Sequence, residues 1–206
     1  EISAKGNGGG ADGDGEWFEI VSLAPEAVDL AHCKLHDGGI DSFPLADSWA
    51  TLPMEPGARW VLGPNANVET NGGVQVDVVY SDFYLSNQSD EIRITCAGEV
   101  VEEVAYDGDW PIEPGVALSF DGAASQDTVT NDAQLHWCAG QTEYVAGNVG
   151  SPGLENGDCP VLDTEVDSCV LIGPAGTEVV EGAPLVFTGL LFDEEDTDVT
   201  EGLDEV

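Results

Sequence analysis

The chain has 206 residues, of which 42% are hydrophobic, enough to form the core of one domain of ordinary size plus part of a second unit. It carries 41 acidic residues against four Lys and Arg, and the formal net charge of -37 excludes binding to nucleic acid phosphates, which requires clustered basic side chains. No apolar run long enough for a membrane-spanning helix occurs, so membrane insertion of this segment is not expected. The charge itself indicates either solubility in a saline medium or loading with divalent cations.

The N-terminal part of the chain predicts one regular strand followed by an irregular one. Residues Trp17–Val21 alternate apolar and polar side chains, which is the period of a β-strand and places Phe18 and Ile20 on one face. The apolar phase changes within residues 28–35, and a β-bulge near Ala31 would reconcile the two halves of this extended segment.

The middle of the chain contains further short strands separated by turn-forming residues. Alternating valines predict a half-buried strand over residues 74–78, and Cys96-Ala97-Gly98 separates the two arms of a predicted hairpin. No window has the 3.6-residue apolar period of a helix, so we predict an all-β sandwich. The remaining predicted strands, including the hairpin arms, cover residues 59–62, 91–95, 99–106, 117–120 and 136–138.

The composition changes after residue 159. We predict a β-sandwich domain over residues 1–159, an acidic linker over 160–168 and a partial second β unit over 169–206. In that second unit, residues 170–172 and 184–192 are predicted strands, which are too few for an independent core.

The five cysteines indicate disulfides rather than a zinc site. None forms the close ligand pair that zinc sites use, whereas long and irregular spacings fit disulfides in an oxidising compartment. The sequence leaves the connectivity open, and we expect Cys169, which lies outside the main domain, to be the unpaired one. The candidate disulfide residues are Cys33, Cys96, Cys138, Cys159 and Cys169.

An acidic cluster near the C-terminus is the candidate metal site. Calcium prefers several oxygen ligands in a flexible loop, and carboxylates are dense at Asp193, Glu194, Asp196 and Asp198. A second acidic run, Asp12-x-Asp14-x-Glu16, lacks the distal Glu of a calcium loop and is expected to be solvated. His32 and His36 would be separated by about 13 Å along a strand, which is too far for both to bind one metal ion.

No catalytic residue or cofactor-binding residue is predicted. The chain has no nucleophile elbow of the form G-x-S-x-G and no phosphate-binding loop before a helix. The sequon Asn87-Gln88-Ser89 is interpreted as turn chemistry. The five tryptophans could form a sugar-binding platform, but we expect them to fill or cover the core, because aromatic side chains bury large areas.

Four ordered sequence blocks resemble the lamin-tail domain family. They are GEWFEIVS (residues 15–22), AVDLAHCKLHDGG (27–39), LPMEPGARWVLGP (52–64) and LSNQSDEIRITCAGEVVEEVAYD (85–107), and WCAG (137–140) and GNVGSPGLEN (147–156) are similar to the ending of secreted bacterial members. The resemblance implies an immunoglobulin-like β-sandwich without catalytic residues, located outside the cell beside secreted hydrolases or further repeats. Residues 166 onward resemble the opening of a bacterial immunoglobulin-like or cadherin-like repeat.

These observations together predict a non-catalytic extracellular module of a bacterial cell-surface protein, with a structural or adhesive role. Its expected partners are other protein domains or copies of itself. Family members begin with a fuller first strand than Glu1-Ile2-Ser3. We interpret Glu1 as a processed or trimmed end. The alternative to a trimmed end is a fibre in which a neighbouring chain supplies the missing strand. The alternative is an accessory module that binds calcium or glycan beside a secreted hydrolase.

Overall fold

The computed structural model describes residues 1–6, 12–47 and 52–160 and two further strands, Ser168–Ile172 and Thr188–Phe192. The chain contacts divide it into two compact units, Glu1–Cys159 and Pro160–Val206. Among the described residues every regular element is a β-strand or a short 3-10 turn, so the predicted all-β fold is confirmed. No helix in the described ranges has the length and apolar character needed to cross a membrane.

The strands of the first unit are short, as expected for a chain rich in Gly and Pro. In chain order they are β1 Ile2–Ser3, β2 Trp17–Val21, β3 Val28–Asp29, β4 Cys33–His36, β5 Ser42–Pro44, β6 Pro53–Met54, β7 Arg59–Gly63, β8 Val78–Val79, β9 Asp90–Cys96, β10 Glu99–Tyr106, β11 Leu118–Phe120, β12 Trp137–Ala139, β13 Glu143–Val145 and β14 Asn148–Val149.

Two sheets make up the body of this unit. The larger has six strands in the order β12-β11-β1-β2-β7-β8, antiparallel except for the parallel β7–β8 pair. The smaller has four antiparallel strands in the order β10-β9-β4-β5. Strand β1 is only two residues long, yet it lies in the middle of the larger sheet, between β2 and β11.

The two sheets pack face to face over one hydrophobic core, which defines a sandwich. The larger sheet contributes Phe18 and Leu62, both 1% exposed, and the smaller contributes Leu35, which is fully buried. Phe18, Tyr80 and Phe83 form a ring cluster with centroid separations of 5.5 to 6.3 Å. A second small core on the outer face of the larger sheet contains Trp17, Val61, Val74 and Ala117.

The predicted hairpin is confirmed, and its turn explains the tight connection between β9 and β10. Ala97 and Gly98 both have positive φ, 52° and 90°, which is the backbone of a two-residue turn between twisted strands. Ile92 and Ile94 face the core, as the alternation predicts, and Arg93 lies on the other face.

The prediction of one extended segment with a β-bulge over residues 28–35 is wrong. A single 3-10 turn, Leu30–His32, separates β3 from β4 and produces the change of apolar phase. Asp29 initiates this turn, because its Oδ1 accepts hydrogen bonds from the Ala31 and Leu52 backbone N–H groups at 3.0 and 2.7 Å. Hydrogen bonds to the Asp29 side chain thus replace strand pairing at this point of the chain.

The strand predicted over residues 74–78 is only partly present. Val74 and Val78 are buried and Gln75 is exposed, so the alternating burial holds, but only Val78–Val79 pairs with a neighbouring strand. The preceding valines instead pack with the second small core.

In the second unit, Ser168–Ile172 (β15) and Thr188–Phe192 (β16) form an antiparallel pair. Both predicted strands of this unit are therefore present, and residues 184–187 of the second prediction lie outside the described residues.

Candidate functional site

Four of the five cysteines form two disulfides within the first unit. Cys33 is bonded to Cys96, and the two residues are direct cross-strand partners in β4 and β9. Cys138 is bonded to Cys159, which attaches the end of the unit to β12 at the edge of the larger sheet. The prediction of disulfides is confirmed for these four residues, and nothing is described for the side chain of Cys169.

The candidate calcium ligands Asp193, Glu194, Asp196 and Asp198 lie outside the described residues, so the calcium site stays a prediction. Of the earlier acidic run, Glu16 is buried, and its Oε2 accepts a hydrogen bond from the Leu85 backbone N–H at 3.1 Å. Glu16 thus connects the start of β2 to the chain before β9, and it does not belong to a solvated loop as expected.

The two histidines are held separately. His36 contacts the Asp37 carbonyl through Nδ1 at 2.9 Å and the Thr95 hydroxyl through Nε2 at 2.8 Å. His32 lies in the 3-10 turn before β4 and is exposed. Within the ranges that the structure describes, no group of three His, Cys, Asp or Glu side chains has the arrangement of a metal site.

The sequon residues lie in a turn stabilised by side-chain hydrogen bonds. Ser86 Oγ accepts from the Gln88 and Ser89 backbone N–H groups, both at 3.3 Å, and the Tyr106 hydroxyl donates to the Ser86 carbonyl at 2.8 Å. This is the turn chemistry that the sequence predicts.

The described tryptophans pack against the two cores. Trp17 and Trp110 are 1% and 7% exposed, and Trp60 and Trp137 are partly buried against the main core. Trp137 also donates from Nε1 to the Asn131 carbonyl at 2.7 Å, and its ring lies 5.5 Å from that of Trp110. The expectation that tryptophans fill the core is confirmed for these four, and Trp49 lies outside the described residues.

A cleft of about 370 Å³ lies between the two sheets of the first unit, and we call it the inter-sheet cleft. This volume is in the range of ligand-binding pockets. Leu23, Val28 and Val101 lie in it and are 37% to 50% exposed, so apolar surface reaches solvent at its mouth. Its apolar lining is completed by Ile2, Phe18, Ile20, Leu30, Met54, Ile92, Ile94, Val104, Phe120 and Trp137.

The inter-sheet cleft adjoins the start of the given sequence. Ile2 pairs with Phe18 on β2 and with Leu118 on β11. Glu1, Ile20, Val21 and Phe120 also line the cleft.

Backbone hydrogen bonds attach β2 to the strands on both sides of it. The Glu19 N–H donates to the Glu1 carbonyl at 2.8 Å, next to β1. The Ser22 N–H donates to the Ala58 carbonyl at 2.9 Å, next to β7.

Two hydrogen bonds hold the end of β11. The Asp121 N–H donates to the His136 carbonyl at 2.8 Å on the β12 side. The Phe120 carbonyl accepts a hydrogen bond from Asn156 Nδ2 at 2.8 Å, and Asn156 also lines the cleft.

Glu19, on β2, is a buried carboxylate. Its side chain is 1% exposed and accepts hydrogen bonds from Arg59 Nη1 at 3.0 Å and from the Gly153 N–H at 2.5 Å. Desolvation raises the pKa of Glu19 above its usual value, although its neighbouring positive charges and hydrogen bonds act in the opposite direction. Glu19 therefore neutralises the charge of Arg59, and the pair leaves no excess positive charge on this side of the cleft.

The opposite rim of the inter-sheet cleft is also acidic. Glu102 on β10 accepts a hydrogen bond from Asn131 Nδ2 at 3.0 Å, and desolvation raises its pKa. Asp127 lines the same rim, and its pKa is lowered, first by the hydrogen bond from the Thr130 backbone N–H. The cleft thus combines an apolar interior with carboxylates at its margins, which suits an apolar ligand that carries neutral or positive groups.

No motif in the sequence identifies these cleft residues, because they come from segments more than 100 residues apart. Comparison of the chain with protein-family models, with curated proteins and with solved structures found no match in any of the three.

Proposed function

We propose that this chain is a non-catalytic structural or adhesive module of a bacterial cell-surface protein, with an immunoglobulin-like fold of the lamin-tail type. The observation that carries the proposal is the pair of disulfides built into a two-sheet body. Disulfides form and persist in oxidising compartments, which supports an extracellular location.

The positions of the disulfides suit a module that must keep its shape. Cys33–Cys96 joins two adjacent strands of the smaller sheet, where both residues belong to or pack against the main core. Cys138–Cys159 fixes the last residue of the first unit to the larger sheet. A unit whose exit point is covalently attached transmits tension into the sheet without first unravelling its terminal segment.

The surface chemistry favours contact with proteins over contact with nucleic acid or anionic lipid. A net charge of -37 repels both phosphates and anionic headgroups.

The experiment is to locate the chain and determine its cysteine redox state in the native cell. Intact cells are treated with a protease that cannot enter them, and cysteines are alkylated before and after reduction. We expect protease treatment to remove the chain, and Cys33, Cys96, Cys138 and Cys159 to react only after reduction. A protected intracellular chain whose four cysteines react without reductant would contradict the proposal.

A further inference from the structure

We propose that the outer face of the smaller sheet binds the acidic surface of a second copy of this chain. Two neighbouring rows of side chains form this surface, which we call the basic face. The inference rests on the proposed structural role and deepens it, because it names a surface through which modules would join. The basic face consists of Pro44, Lys34, Thr95 and Val100 in the first row and Ser42, His36, Arg93 and Glu103 in the second.

The register of the smaller sheet brings these side chains together on the side away from the core. Lys34 is the direct cross-strand partner of Thr95, and His36 is that of Arg93. Leu35, between the two β4 residues, is fully buried in the core. Because successive side chains of a strand point to opposite faces, the basic face lies on the solvent side of the sheet.

The basic face has a charge opposite to that of the chain as a whole. It holds two of the four Lys and Arg residues, Lys34 and Arg93, against a single carboxylate, Glu103. The chain has 41 acidic residues and a formal net charge of -37. The basic face therefore complements the acidic surface of a second copy, whereas contact between two acidic surfaces is repulsive.

Lys34 is the side chain that can accept a new partner. Arg93 already bridges Glu91 and Glu103, each at 2.6 Å. Lys34 is exposed, its cross-strand neighbours are the uncharged Pro44 and Thr95, and within the described ranges it forms no ion pair. A carboxylate of another copy can thus pair with Lys34 without displacing an existing contact.

Salt determines whether this local attraction exceeds the repulsion between two chains of net charge -37. At 0.15 M salt the Debye length is ~8 Å, so mainly the charges at the contact interact. At 0.01 M it is ~30 Å, and the charges of both whole molecules repel each other. At 1 M it is ~3 Å, and the pairs at the contact are screened as well. We therefore expect association to be strongest at intermediate salt.

The first test is sedimentation equilibrium of the 206-residue chain at about 0.01, 0.15 and 1 M NaCl. The association constant should be at least about fivefold larger at the middle concentration than at either extreme. Association should also reverse on dilution, which a disulfide between copies would not. A monomer at all three concentrations would overturn the inference. So would a constant that rises continuously with salt, because that is the behaviour of an apolar contact.

Two pairs of variants locate the contact. Lys34→Glu and Lys5→Glu change the net charge equally, but only Lys34 lies on the basic face. At about 0.15 M NaCl, Lys34→Glu should lower the association constant about fivefold relative to Lys5→Glu, because repulsion replaces attraction at the contact. Lys34→Arg keeps the charge and should keep the affinity. Val100→Glu should weaken association more than Val79→Glu, since both valines are exposed but Val79 lies on β8 of the other sheet.

The variants also show how the assignment could fail. Equal effects of the two lysine variants, or of the two valine variants, would mean that the contact lies elsewhere on the chain. If the chain stays monomeric while it is found on the cell surface with both disulfides formed, the basic face is not an interface and the structural role remains.

Discussion

At the scale of single residues, the scarcity of basic side chains decides which carboxylates are paired. Both arginines form ion pairs with carboxylates of the sheets. Arg93 bridges Glu91 and its cross-strand partner Glu103, each at 2.6 Å, and Arg59 pairs with the buried Glu19 at 3.0 Å. The Arg93 pairs lie at the surface, so each contributes at most about 1 kcal/mol. Glu19 is different, because its carboxylate is removed from water.

Replacing Glu19 with Gln should change how stability depends on pH. Desolvation raises the pKa of Glu19 above 4.5 in the folded state, so the folded chain takes up a proton at a higher pH than the unfolded chain. The wild type therefore gains stability as pH falls from 7 through that raised pKa, and Glu19→Gln lacks this gain.

The measurement is urea unfolding of both proteins at pH 7 and near pH 4.5. The free energy of unfolding of the variant, relative to the wild type, should be lower at the acidic pH. Other carboxyls titrate equally in both proteins, so they cancel in this difference. A difference that does not change with pH would show that Glu19 has an ordinary pKa.

At the scale of elements, sequence patterns predict those strands and turns whose stabilising contacts lie within one short segment. The β9–β10 hairpin is predictable because its turn residues and its alternating isoleucines lie within one short segment. The 3-10 turn Leu30–His32 is not predictable in this way. The Asp29 side chain that initiates it accepts hydrogen bonds from Ala31 within the turn and from Leu52, which is 23 residues away. The pairing of β1 with β11 joins Ile2 to Leu118, more than 100 residues away, and no local period encodes it.

The hairpin turn contains a residue that is unfavourable for its backbone. Ala97 has φ of 52°, a left-handed conformation that costs an ordinary L-residue about 1 kcal/mol and that Asn tolerates better. Ala97→Asn should therefore raise the free energy of unfolding by about 0.5 to 1 kcal/mol. Ala123→Asn is the control, because Ala123 is exposed and its φ is not positive. Equal effects of the two changes in urea unfolding would contradict a turn-specific gain.

The two disulfides should differ in their contribution to stability. Cys33–Cys96 closes a loop of 63 residues and Cys138–Cys159 one of 21. In the loop-entropy description these restrict the unfolded chain by about 4 and 3 kcal/mol. Replacing both cysteines of the first pair with Ala should thus lower the unfolding midpoint more than the same change in the second. The reverse order would indicate that local strand geometry outweighs the entropy of the unfolded chain.

At the scale of the whole molecule, the net charge of -37 opposes folding. Compaction brings 41 carboxylates closer together, and salt screens them, since the Debye length falls from ~10 Å at 0.1 M to ~3 Å at 1 M. We expect Tm to rise steadily with NaCl over this range. Glu99→Gln removes one charge on β10 and should reduce the salt dependence slightly. Glu103→Gln also removes the ion pair with Arg93, whose attraction salt weakens, and should therefore reduce the salt dependence less. A Tm that falls or stays constant with salt would show that self-repulsion is not a significant cost.

The central claim is that the first unit is a two-sheet body closed by two disulfides, and disulfide mapping of the 206-residue chain tests it most directly. The chain is digested without reduction and its peptides are identified by mass spectrometry. We expect peptides joined through Cys33–Cys96 and through Cys138–Cys159. A different pairing, or free thiols at these four positions, would contradict the account.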